Sequence, residues 1–183
     1  MKVAIEARAL NSKTAAGVKT YVTELIRNLR EIGGAEYEII QDNIPGWKLP
    51  WWMNVTLPLD FARGKPDVVH FTKAAVPKIK TVPTVVTIHD IIPIFFPESQ
   101  AGLQRLLWPR TLRHAALKSD HIITISEASK RDIVEQFRVT PEKITVTPLA
   151  VDLERFRPVN HPPQQLGTPT SQGGANFLPL AKG

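Results

Sequence analysis

Apolar residues in this chain fall into two kinds of run. The first kind is short and nearly continuous. Residues 2–7 (KVAIEA), 37–40, 67–71 (DVVHF), 84–88 (TVVTI), 121–125 and 144–147 are of this kind, and each predicts a β-strand. The run 84–88 is β-branched and almost wholly apolar, as expected of a strand buried on both faces of a parallel sheet. The second kind has a helical period. Val18, Tyr21, Val22, Leu25, Ile26 and Leu29 follow i, i+3, i+4, i+7 spacing and predict a helix over 18–32, stopped by Gly33 and Gly34. A short helix is expected over 52–62, a longer one over 101–118 that Pro109 kinks or splits, and a third over 127–137 with Ser126 at its N-cap. Residues 42–52, rich in Pro, Gly and Trp, and 90–97, bounded by proline, read as irregular. Strands alternating with helices predict an α/β fold: a doubly wound, Rossmann-like parallel sheet with helices on both faces.

Residues 161–183 break the pattern. This stretch has no period, is dense in Pro, Gly, Gln and Thr, and reads as a disordered tail, linker or cloning scar. The remainder has the size of one ordinary domain. Cysteine is absent, which excludes disulfides and thiolate metal sites and is compatible with a reducing cytoplasm. No segment reads as a signal peptide or reaches the roughly 18 apolar residues of a membrane span.

Charge narrows the partners. Lys and Arg number 23 against 17 Asp and Glu, a formal +6, which favours polyanions. No zinc-finger spacing, ribonucleoprotein aromatic strand or basic heptad arm is present, so nucleic acid is not expected as a partner. A nucleotide diphosphate, an anionic lipid or simple solvation of a basic surface all remain open. Arg105, Trp108, Arg110 and Arg113 lie among Leu103, Leu106 and Leu107 on the predicted helix 101–118. Such a helix either rests on an anionic membrane or faces the core with a solvated basic side.

An open parallel sheet binds ligands at the carboxyl ends of its strands. That rule selects the loop 11–17 with Gly17 just before the first helix, Arg8 after the first strand, His89 and Asp90 after the fourth, and Ser126 and Glu127 after the fifth. His89 is placed to bind a sugar hydroxyl, to titrate near neutrality, or to cap a carbonyl of its own turn. Asp90 orients that ring or makes an Asx turn. Gly17 lets a phosphate approach a helix N-terminus or is an ordinary turn glycine. Arg8 reaches a phosphate or forms an ion pair. Ser126 contacts ligand or only caps its helix.

Four ordered segments carry a family resemblance: KVAIEARAL with AGVKTYVTELIRNL, PDVVHF, TVVTIHDIIPIFFP, and SDHIITISEASKRDIVEQF with PEKITVTPLAVDLERFRP. Together they resemble the N-terminal domain of family-4 retaining glycosyltransferases of the GT-B fold. The resemblance implies an acceptor-side domain over 1–158 and a tail over 159–183 in place of the donor domain. It implies an enzyme that moves a hexosyl unit from a nucleotide sugar to a glycan or glycolipid acceptor, and the absence of cysteine and the basic helix add the expectation of a cytoplasmic place, peripheral to the inner membrane face. No metal or other cofactor is required. His89 corresponds to the histidine at the transferred sugar, with Asp90 beside it. Gly17 corresponds to the loop facing the diphosphate, and Ser126 and Glu127 to a Ser-Glu pair lining the cleft. The family's donor-side basic pair and paired glutamates would lie in the donor domain. Without it, transfer by this chain alone is expected to be negligible. The competing expectation is a non-catalytic binding module for anionic lipid or nucleotide.

Overall fold

The computed structural model describes residues 1–11, 16–64, 66–100, 102–151 and 153. The chain divides into two compact units, Met1–Leu149 and Ala150–Gly183, and every element below belongs to the first. The tail expected over 159–183 lies outside the described residues, as do residues 12–15 of the first loop.

Six parallel strands form one sheet: β1 (Lys2–Glu6), β2 (Glu36–Ile40), β3 (Val68–Phe71), β4 (Thr84–Thr87), β5 (His121–Thr124) and β6 (Ile144–Val146), in the order β2-β1-β3-β4-β5-β6. The register is continuous across the centre, with Glu6 beside Phe71, Phe71 beside Val86 and Val86 beside Ile122. The helices are α1 (Ala16–Ile32), α2 (Leu49–Trp51), α3 (Leu57–Gly64), α4 (Ile92–Phe95), α5 (Gln104–Lys118) and α6 (Glu127–Phe137). Parallel crossovers are right-handed, so the direction of each step decides the face its helix covers. The step from β1 to β2 runs one way and the later steps run the other. Accordingly, Val22 and Ile26 of α1 pack on Val3, Ile5 and Ala7. Phe61 of α3, Leu112 and Ala115 of α5 and Ile133 and Phe137 of α6 pack on the opposite face with Ala4, Val69, Val86 and Ile122. This is the doubly wound, Rossmann-like parallel sheet expected from the alternating runs.

Several boundaries differ from the sequence reading. Helix α1 begins at Ala16, so Gly17 lies inside its first turn rather than before it. The expected helix over 52–62 is part of a longer one: α2, a π-helical segment Trp52–Thr56 and α3 follow without a break. The wide turn leaves Leu57 N–H bonded to the Trp52 carbonyl, one residue beyond α-helical reach. Pro, Gly and Trp read as loop here because helix propensity ignores tertiary contacts, and Trp52 and Met53 are buried in the core. Residues 90–97 contain the short helix α4. Pro109 does not split α5, which runs through it from Gln104 to Lys118. The proline lies in the second turn, where it removes the donor to the Arg105 carbonyl, a loss the packing of Leu112, Ala115 and Ala116 offsets.

Helix α6 is closed at both ends. The Ser126 hydroxyl accepts from the Ser129 N–H at 3.1 Å, and Arg138 at φ 55° ends the helix with its N–H on the Val134 carbonyl. Ser126→Ala is expected to cost about 1 kcal/mol of unfolding free energy, readable in a urea titration. A loss well under half that value would mean the cap contributes little.

Candidate active site at the carboxyl edge of the sheet

Because every strand is parallel, the carboxyl ends of β1, β3, β4 and β5 open on one edge. The order in which strands are added reverses between β1 and β3, so the crevice expected of a doubly wound sheet lies above β1 and β3. Two polar groups of side chains stand there.

The first joins β1, β3 and the π-helical segment. Glu6 ends β1 and is 1% exposed. Its Oε1 accepts from the Arg8 N–H at 2.9 Å and from Arg8 Nε at 2.6 Å. The guanidinium lies 4.6 Å from the centre of the Trp52 ring, a cation–π contact. Thr72, just past β3, donates through Oγ1 to the Glu6 carbonyl at 2.7 Å. Of the two readings of Arg8, the geometry supplies an ion pair, though with a buried carboxylate rather than a surface one. Its side chain is 17% exposed and pins the chain as it leaves β1.

The second group joins β3, β4 and α1. His70 Nε2 and Thr87 Oγ1 lie 2.8 Å apart, and the Tyr21 hydroxyl lies 3.4 Å from the same Thr87 oxygen. The Tyr21 ring meets the His89 ring edge-on, with centroids 4.8 Å apart. His89 is half-buried, and its Nε2 is shielded from water without a hydrogen-bond partner among the described residues. Burial lowers the His89 pKa from its ordinary value, partly opposed by the nearby Asp90 carboxylate. Burial, reinforced by repulsion from His89, lowers that of His70 to about 4. Both imidazoles are therefore neutral at pH 7, and each carries one donor and one acceptor nitrogen. A neutral imidazole at the carboxyl edge is equipped to hydrogen-bond a hydroxyl or to take up a proton, through Nε2 only once its cover from solvent is moved aside.

The other residues selected from the sequence are distributed unevenly. Asp90 is exposed, and its Oδ1 accepts from the Ile92 N–H at 3.0 Å, an Asx turn that starts α4. Gly17 is exposed and has open space where a Cβ would stand, so no protein atom among the described residues requires glycine there. Ser126 spends its hydroxyl on Ser129. Glu127 is exposed in the first turn of α6, where a carboxylate suits the helix dipole. Arg105, Arg110 and Arg113 are exposed on α5, but Trp108 is half-buried against the core and is not part of that surface. Among the described residues no group of three His, Asp or Glu side chains is placed to hold a metal. Sequence reasoning missed Glu6, Tyr21, Trp52, His70 and Thr87. A glutamate inside an apolar strand was the available signal for the first, since an unpaired buried carboxylate is costly. The others carry no signal before the fold brings them together.

The Glycosyltransferase Family 4 profile matches residues 33–155, more than half of the chain. The chain belongs to glycosyltransferase family 4. Among curated relatives, the O-antigen chain mannosyltransferase RfbU of Salmonella typhimurium is 26% identical over 106 residues, covering 58% of this chain and 28% of the relative. The sulfoquinovosyl transferase SQD2 of Arabidopsis thaliana is 25% identical over 175 residues, covering 78% of this chain and 34% of the relative. The family-4 chain described here thus spans about a third of the length of these relatives. No helix among its described residues is long and apolar enough to cross a membrane.

Proposed function

We propose that residues 1–158 are the acceptor-side half of a retaining family-4 transferase. It moves a hexosyl unit from a nucleoside-diphosphate sugar to a hydroxyl of a glycan or lipid-linked glycan. The observation that carries this reading is His89: a neutral imidazole at the carboxyl edge, held edge-on by Tyr21, with Nε2 buried and unpaired among the described residues. In that role the side chains covering Nε2 move aside on binding, and the ring then hydrogen-bonds a hydroxyl of the transferred sugar and keeps its orientation as the anomeric bond to the diphosphate breaks. The departing charge is met by oriented donors, with no metal or cofactor in the scheme. A second αβ unit supplies the nucleotide-sugar contacts, as the greater length of the relatives suggests.

The test is a transfer assay with a panel of nucleotide sugars, on this chain alone and on a protein extended by a family donor domain. The chain alone is expected to show negligible turnover, because its contacts are only part of those the transition state needs. In the extended protein His89→Ala is expected to lower kcat/KM roughly a hundredfold or more, the usual cost of removing one preorganised polar contact. Full activity of the His89→Ala protein would sink the assignment.

A second reading has its own observation. Leu103, Leu106 and Leu107 are exposed on α5 beside Arg105, Arg110 and Arg113, which suits contact with an anionic membrane at the cytoplasmic face. Binding to anionic vesicles that survives His89→Ala but not charge reversal at the three arginines would favour a lipid-binding module. Loss of vesicle binding under neither change would leave the arginines as a solvated face.

A further inference from the structure

A groove of about 550 Å³ runs between α5 and the segment comprising α2 and the π-helical turn. Its walls are largely apolar, with Leu49, Pro50, Met53, Val76 and Leu107 among them. Lys78, Arg110 and His114 also line it, and no acidic residue does. Lys78 and Arg110 are exposed, and neither forms an ion pair among the described residues.

The rim is a built feature. The Lys78 N–H donates to Asn54 Oδ1 at 2.8 Å, and His114 Nε2 lies 3.3 Å from the Pro77 carbonyl. These contacts tie the loop after β3 to both helical walls. A second cavity, of about 440 Å³ between α1 and β2, has Glu31 beside Arg27 and Arg30 and shows no such separation of apolar wall and unpaired cations.

We propose that this groove binds the alkyl chain of an anionic lipid, with the lipid phosphate held by Lys78 and Arg110. The chemistry of the lining selects that occupant. Apolar walls reward a hydrocarbon chain, and two cations outside any ion pair reward a phosphate, although one Arg110 N–H already donates to the Leu106 carbonyl at 3.0 Å. An extended peptide would need main-chain partners, but Asn54 Oδ1 and the Pro77 carbonyl are engaged, and the Thr111 hydroxyl donates to its own helix at the Leu107 carbonyl, 2.9 Å away. A hydrocarbon chain leaves no such groups unpaired. The volume falls within the range of sites that enclose a small ligand. Exposed Leu103 and Leu106 extend the apolar surface along α5 outside the groove. His89, Tyr21 and Thr87 do not line the groove, so it concerns lipid recognition rather than the contact made by His89.

The test is calorimetric titration of the full chain with dodecyl phosphate below its micelle concentration, with no nucleotide sugar present. The result is thereby separate from any outcome of the transfer assay. Saturable one-to-one binding is expected. Thr111→Trp, which fills the groove without altering charge, is expected to weaken it tenfold or more. So is the double variant Lys78→Glu with Arg110→Glu, whose exposed positions leave the fold intact. Dodecyl maltoside supplies a chain without charge and inorganic phosphate a charge without a chain, and both are expected to bind at least tenfold more weakly. The proposal is overturned by no saturable binding to the folded chain, by equal affinity in both variants, or by either control ligand matching dodecyl phosphate. Binding to anionic vesicles but not to the monomeric amphiphile would also overturn it, and would place the interaction on the outer surface of α5.

Discussion

Arg8→Ala is expected to lower the unfolding free energy by about 3 kcal/mol, the scale of stranding one member of a buried ion pair. Glu6 is 1% exposed, and its Oε1 takes both the backbone N–H and Nε of Arg8. Its Oε2 is buried with no partner among the described residues, so the carboxylate leans on Arg8. Removing the guanidinium also takes the cation from the Trp52 face and leaves that ring over a cavity. The attribution is checked by a second substitution. Glu6→Met in the Arg8→Ala background replaces a stranded charge with an apolar side chain of similar length, and is expected to recover more than half of the loss. Urea unfolding of the two variants and the parent decides it. A loss under about 1 kcal/mol in Arg8→Ala would mean that solvent reaches Glu6 and that the pair does not hold the β1 exit.

The second large effect is acid sensitivity. His70 is 7% exposed and has a pKa near 4 in the folded chain, against an ordinary 6.5 when unfolded. Between those values the unfolded chain binds a proton that the folded chain refuses, so stability falls as pH falls. The contribution is fully present above pH 6.5 and is spent as pH approaches 4. At about 1.4 kcal/mol per unit, this one residue removes on the order of 3 kcal/mol across that window. The lowered pKa of His89 acts in the same direction. His70→Asn is expected to flatten the profile of unfolding free energy against pH between 6.5 and 4, at the expense of some stability at pH 7. Parallel profiles for the two proteins would show that His70 titrates normally and that carboxylates account for the acid loss.

The pinning pair and the buried histidine differ in how far the sequence announced them. Arg8 drew notice by its place after a strand, but its partner Trp52 lay in a stretch read as irregular. The π-helical turn that buries Trp52 depends on contacts with the sheet, and no local rule anticipates it. His70 looked like one more strand residue. Its depressed pKa follows from burial and from the neighbouring His89, which the pairing of β3 with β4 brings beside it.

Ser126 shows the opposite case. A serine ahead of a helical run is a local signal, and the cap needs only the next turn of the same helix. Gly17 shows how far such signals shift. The sequence pattern places the glycine just before the helix, yet the helix begins one residue earlier and the glycine is exposed in its first turn. Trp108 misled in another way. A tryptophan among arginines suggested a membrane anchor, whereas the rotation of α5 on the sheet turns it toward the core.

The sequence by itself determined the alternation of strands and helices, the parallel sheet, the cap of α6, and the edge on which His89 would stand. Each follows from periodicity or from neighbours a few residues apart, which a linear chain records directly. Only the tertiary structure decided that Glu6 and Arg8 would pair beneath Trp52, that Tyr21, His70, Thr87 and His89 would form one neutral polar group, and that α2 and α5 would enclose a basic-rimmed groove. Those arrangements join segments distant in sequence. They depend on strand order, crossover direction and helix rotation, which hydrophobic patterning leaves open until the two faces of the sheet are packed.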